Sequence, residues 1–382
     1  MRKYWLLSLV LALTACGTSH KKIEIVEEVD LRPKVGIVAL QVQQNTPEHE
    51  RLDVNLAVFD LGVSDDAELQ AGRGVFPKIR AAEARYFPVL LAKEMIDTNS
   101  WGVVRVIPEV EHSAELLVTG KIIRSDGLRL ELYIKAEDAS GRVWLDQIYI
   151  DETEIAEYSV LAEEEPYIDL YRKIANDLLA ARRSLTEAQL NNVAYVAFLR
   201  YAASLSPDAF GRHLSQSSDG TFVIERMPAK NDPMIARVNK VRNLEYQFID
   251  TIDEQYISLY KELTPTYKLW RKFSREMLVF QEDYQQRMVD RENDSRRGTF
   301  FSMQQTYSAY KWSKIQEQDL EEMAQGFNNE AAPTVMEVRG EVRKLDGTLD
   351  SQYTEWRQIL RDIFAQETGL PMATESDLDT SR

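Results

Sequence analysis

Apolar residues recur along this chain in two rhythms, and the change between them divides it. Up to about residue 151 the apolar runs are short and rich in β-branched residues. VGIVALQV (35–42), NLAVFDLGV (55–63), WGVVRVIP (101–108), ELLVTGKIIRS (115–125), LRLELYIKAED (128–138) and RVWLDQIYID (142–151) each read as a strand. Leu128, Leu130, Leu132 and Ile134 alternate with Arg129, Glu131, Tyr133 and Lys135. That period of two predicts a sheet with one face on a helix and the other on water. SDG (125–127) and DASG (138–141) have the composition of hairpin turns. Between the second and third runs, Pro77 to Asp97 keeps helical spacing through Ile79, Ala82, Tyr86 and Leu90. Lys93 interrupts that stripe, and Pro88 predicts either a kink or a first turn.

From Pro166 the spacing lengthens to three and four. Residues 166–185 and 186–205 read as helices, the second opened by a capping box of Thr186 and Gln189. A polar, glycine-containing stretch (206–233) follows, which either holds a small ordered loop around Phe222, Val223 and Ile224 or is mobile. Val238, Val241, Leu244, Phe248, Ile252, Tyr256, Leu259 and Leu263 then form a long stripe, which Pro265 should end or bend. Leu269, Phe273, Met277, Phe280, Tyr284 and Met288 continue it, and DRENDSRRG is the natural turn. Two more helices are expected, 300–327 and 335–366. Val335, Val338, Val342, Leu345, Leu349, Tyr353, Trp356, Leu360 and Ile363 make the most regular stripe of all, with a break expected near Gly347 and a stop at Gly369 and Pro371. The reading is thus an α+β chain. Residues 35–152 form a mixed sheet of about six strands with a long helix, and 166–370 an antiparallel helical bundle. An acidic tail over 371–382 is expected to be disordered.

Composition changes this picture at the N-terminus. The chain of 382 residues holds one cysteine, Cys16. Ahead of it stand Arg2 and Lys3 and an apolar run, Tyr4 to Leu13, too short for a bilayer span of about 20 residues. A removable signal over 1–15 is the reading. Leu13-Thr14-Ala15-Cys16 resembles the lipobox of bacterial lipoproteins, which implies cleavage between Ala15 and Cys16 and acylation of Cys16. Residues 16–34 would be the lipidated cysteine and its tether. Gly17 is not the aspartate that resembles an inner-membrane retention signal, so the expected address is the periplasmic face of the outer membrane. The strand, long helix and meander behind that lipobox resemble the periplasmic domains of the curli-secretion lipoprotein family, the amino-terminal domain of TolB and the lipoprotein activators of penicillin-binding proteins. The resemblance covers roughly 120 residues and implies an accessory role in an envelope machine.

Charge removes one class of partner. The net charge is −16, and loss of Arg2 and Lys3 with the leader leaves 44 basic against 62 acidic residues, a net −18. Such a surface repels nucleic acid and anionic headgroups. Candidate chemistry is sparse. His20, His49, His112 and His213 lie far apart, and no metal-ligand spacing or nucleophile motif is present. EHE (48–50) reads as a solvated surface rather than a metal site, and Glu163, Glu164 and Glu165 as a helix-leading acidic cluster rather than a catalytic pair. No catalytic residue and no cofactor beyond the covalent lipid are expected. Most aromatic residues of the second half read as core, with Tyr307, Tyr310 and Trp312 as candidate partner contacts. The expectation is a non-enzymatic, lipid-anchored periplasmic adaptor with an envelope protein as partner and self-association as a further expectation. The alternatives are a peptidoglycan-acting enzyme with acidic side chains between the two halves, and a carrier of an apolar ligand within the bundle.

Overall fold

The structure, a computed structural model, describes residues 32–63, 77–111, 114–153, 165–229, 231–293, 333–338 and 340–369. Cys16 with its leader, the expected helix 300–327 with Tyr307, Tyr310 and Trp312, and the acidic tail lie outside the described residues. The elements below belong to one compact unit that begins at Lys34.

The fold is mixed α/β. Five strands, β1 (Val54–Ala57), β2 (Val104–Ile107), β3 (Leu116–Ser125), β4 (Arg129–Asp138) and β5 (Val143–Glu152), form one sheet in the order β2-β1-β3-β4-β5. β1 is parallel to both neighbours, and β3, β4 and β5 form an antiparallel meander. Asp126 accepts from the amides of Leu128 and Arg129, and Asp138 from those of Ser140 and Arg142, so both predicted turns are closed by an aspartate. Leu130, Leu132 and Ile134 are fully buried, while Tyr133 and Lys135 on the other face are partly exposed. Arg129 and Glu131 depart from the polar-outward pattern: they are buried together as an ion pair 2.6 Å long.

Helix α1 (Pro77–Asp97) runs unbroken through Pro88 and packs beside α2 (Ile168–Arg183) over the apolar face of the sheet. Tyr149 on β5 donates to Asp177 on α2, which fixes the helix over that edge. The capping box of Thr186 and Gln189 opens α3 (Glu187–Leu205) as expected. A short α4 (Pro207–Phe210) leads to a small hairpin, β6 (Leu214–Gln216) and β7 (Phe222–Ile224). Phe222-Val223-Ile224 is therefore ordered as a strand.

Three expectations change. First, the run 35–42 is not a strand of the sheet, which is why the sheet has five strands rather than about six. Residues 34–43 form an extended strap. Val35 donates to the carbonyl of Ile150 on β5, and the strap then crosses α2. Asp169, Asn176 and Arg183, seven residues apart and so on one helix face, hold it: Asp169 accepts from the amide of Val38, Asn176 bonds the amide of Gln41 and the carbonyl of Ala39, and Arg183 donates to the side chain of Gln41. Second, of the two outcomes expected at Pro265, an end or a bend, the end does not occur. α5 (Pro233–Asn293) is continuous over 61 residues, about 90 Å. Thr264 Oγ1 donates to the carbonyl of Tyr260, supplying a bond beside the one that proline cannot make. Third, the stripe from Val335 does not begin a helix. Residues 334–345 are a hairpin, β8 (Thr334–Val338) and β9 (Glu341–Leu345), turned at Gly340 with φ +77°. The β-branched residues there favour strand, and the left-handed turn selects glycine. A helix resumes at α6 (Leu349–Thr368), capped by Thr348 and ended by Gly369 in the left-handed conformation.

α6 runs antiparallel to the first part of α5: Lys240 pairs with Glu367, and Phe248 stacks on Trp356. A continuous cluster of buried side chains extends from Val54 in the sheet through α1, α2 and α5 to Phe364 in α6. A wider helical bundle is not seen among the described residues.

Candidate functional site

Charged residues accumulate where α5 and α6 meet the start of the parallel strands. Asp53, Arg105 and Glu115 stand at or next to the N-terminal ends of β1, β2 and β3. Arg242, Glu245, Tyr246, Asp250 and Asp253 recur at three, four and seven residues on α5, beside the apolar stripe of Val241, Phe248 and Ile252. Arg105 lies 4.8 Å over the ring of Tyr246, bonds Asp250 at 2.5 Å and approaches Asp53 at 3.7 Å. Asp53 accepts from the amide of Val103, and its own amide donates to Glu115. Arg242 approaches Glu115 at 3.5 Å and stacks on Tyr246. On the α6 side Arg357 bridges Glu111 and Glu245. Acids and guanidiniums thus alternate from the edge of the sheet to the far side of α5.

Burial sets the protonation energetics. Burial pushes the Glu115 carboxyl up, with the neighbouring Asp53 adding to the rise and Arg242 opposing it. Burial also raises Glu245, against the pull of Arg357. Asp253, whose carboxylate accepts from the amide of Val106 at 2.8 Å, is pushed up to about 6, again chiefly by burial. Burial alone would lower Arg357, but Glu111 and Glu245 more than offset it and hold the guanidinium charged.

A small cleft opens at this network, lined by Tyr201, Ser204, Leu205, Glu245, Arg357, Leu360 and Arg361. Its space is about that of one water molecule. A second polar cluster lies farther along α5. Glu83 on α1 accepts from Ser125 at 2.5 Å and from Tyr267 at 2.8 Å, and Arg80 lies 3.5 Å away. Arg271 donates to Tyr267, pairs with Glu165 and is stacked among Tyr167, Tyr267 and Phe87. The two clusters fasten α5 to the sheet and to α1 at points about 25 residues apart, some 38 Å along the helix.

Of the residues singled out in the sequence, His20, His112, Glu163 and Glu164 lie outside the described residues, and the described ones are not brought together. Glu165 is engaged by Arg271. His49 sits in a surface turn 3.6 Å from Glu187, and His213 is bonded to the carbonyl of Arg226. No group of three metal-ligating side chains occurs among the described residues. Tyr201, Tyr256, Tyr267, Trp270 and Trp356 are core residues, as the helical spacing suggested. The charge network was missed from the sequence. Its one sequence signal is the row of charged residues flanking the apolar stripe of α5, which a solvated face would also produce. No known family pattern, curated protein or solved structure matches this chain.

Proposed function

We propose that the protein is a lipid-anchored periplasmic adaptor of an envelope machine, held by an acylated Cys16 at the outer membrane and acting through protein contacts. The observation that carries this reading is α5: a helix of about 90 Å fastened to the sheet by two buried polar clusters and continuing 18 residues past Arg275. A clamped helix of that reach suits transmission of position between partners. The carboxylates between the sheet and the later helices are engaged by guanidiniums, and the adjoining cleft has the space of about one water, so we read the network as a fastening rather than a reaction centre. The antiparallel packing of α6 on α5 supports the further proposal that the second half is an antiparallel helical bundle.

In-cell crosslinking of the tagged, lipidated chain tests the adaptor reading. A reproducible envelope protein attached to it is the expected result. Recovery of glycan fragments or free lipid alone would move the assignment to an enzyme or a carrier.

A further inference from the structure

The strap at residues 34–43 is an unusual use of an apolar run. From Val35 to Thr46 there are 12 residues without a charge, in a chain that is 28 % charged. Ile37 is 100 % exposed and Val42 59 %. Ile96, 56 % exposed in the last turn of α1, lies two residues from Thr98, whose carbonyl accepts from the amide of Gln43. Isolated apolar side chains on a surface need no explanation, but here an extended segment packs Val35 and Leu40 against the core and is held so that Ile37 and Val42 project.

The backbone of the strap narrows what could cover it. The amides of Val35, Val38, Gln41 and Gln43 and the carbonyl of Ala39 are already bonded to β5, α2 and the end of α1. An added strand needs a continuous free hydrogen-bonding ladder, which these bonds interrupt, whereas the interfacial layer of a bilayer, where water and headgroups meet the remaining backbone groups, asks only for uncharged side chains. A second copy of the mature chain would bring another net charge of −18 to the same place, and like charges oppose that approach as they oppose anionic headgroups, so the uncharged strap suits a zwitterionic lipid surface. Lys34 follows Cys16 by 18 positions, so the strap cannot lie farther than about 65 Å from that residue along the chain.

We propose that the strap is a lipid-contacting segment, with Ile37 and Val42 seated in the interfacial layer of the bilayer that holds Cys16, an inference that rests on the lipid-anchor reading above. Contact with the bilayer at two places fixes the orientation of the folded unit, which an acyl tether alone leaves free. Because the first attachment keeps the strap close to the lipid, a weak second contact suffices.

The test uses the full chain, expressed with its leader, purified with its lipid and reconstituted in zwitterionic phosphatidylethanolamine–phosphatidylcholine vesicles. Acylation consumes the sulfur of Cys16, so Ile37→Cys supplies the one free thiol for an environment-sensitive fluorophore. Seating in the vesicle should shift its emission to the blue, and brominated acyl chains should quench it about twofold, as expected for a depth of about 5–10 Å. The same label at Val342→Cys, exposed on β9, should be unaffected. A label at 37 as insensitive to the bromines as that at 342 overturns the proposal, as does quenching that follows protein concentration and not lipid, which would assign the strap to a second copy. Mass spectrometry of the N-terminal peptide reads the anchor separately. An acylated Cys16 with an insensitive label sinks the strap alone, whereas a Cys16 without acyl mass removes the anchor and the strap together.

Discussion

Asp253 illustrates how one half-buried carboxyl can report on the whole fastening of α5. Its folded pKa of about 6 exceeds the ordinary aspartate value near 4, so between those values the folded state holds a proton that the unfolded chain releases. Its contribution to stability is complete below about pH 4 and is lost as pH rises through about 6. At neutral pH the group therefore carries a cost, which partial solvent access reduces to about 1 kcal/mol. Asparagine keeps an oxygen for the amide of Val106 and removes the charge. Asp253→Asn should raise stability at pH 7 by about 1 kcal/mol and flatten its change between pH 4 and 6. Urea unfolding at pH 4.5 and 7 measures both, and equal loss of stability at the two pH values would show the amide bond, not the charge, to be what matters.

Among the elements, the β3–β4 turn and α5 approach each other backbone to backbone. A Cβ added at Gly127 would lie 2.3 Å from the backbone nitrogen of Arg275. Backbone cannot rotate away, so Gly127→Ala must displace either the turn or the helix, at a cost of about 1–3 kcal/mol. A melting temperature unchanged by that substitution would mean the turn and α5 do not pack. This position was legible in the sequence only as a turn glycine, with nothing to say what approached it. Elements whose signal is local were read correctly: both aspartate turns, the Thr186 capping box and the Gly369 stop follow from side chains a few residues apart. The errors came where distant contacts decide. VGIVALQV is equally suited to a strand or to a strap, and the face of Asp169, Asn176 and Arg183 more than 130 positions away selects the strap. Val335 to Leu345 fits a helical stripe and a hairpin alike, and the left-handed Gly340 decides for the hairpin. The acid–guanidinium network belongs to the same class: its ion pairs join positions far apart in the chain, Arg105 with Asp53 and Asp250, Arg242 with Glu115, and Arg357 with Glu111 and Glu245.

At the scale of the molecule, the sequence suggests a seam after residue 152 that the buried side chains do not respect. Tyr86 of α1 packs against Tyr260 and Tyr267 of α5 at ring distances of 4.7 and 4.6 Å, and Tyr267 also bonds Glu83. At the sheet edge the amide of Val106 and the guanidinium of Arg105 depend on Asp253 and Asp250. Loss of α5 would strand Glu83 beside Arg80 without its tyrosine and leave Arg105 without Asp250, and each buried polar group deprived of a partner costs about 1–3 kcal/mol. Neither the sheet nor the α5–α6 pair can then keep its structure while the other melts. The described unit should unfold in a single transition, with calorimetric and van't Hoff enthalpies equal, in detergent-solubilised full chain. Two resolved heat-absorption peaks would instead make the sheet and the later helices separate folding units. The polar clusters would then be a docking contact between two independently stable parts, and the clamp that gives α5 its proposed reach would open without unfolding.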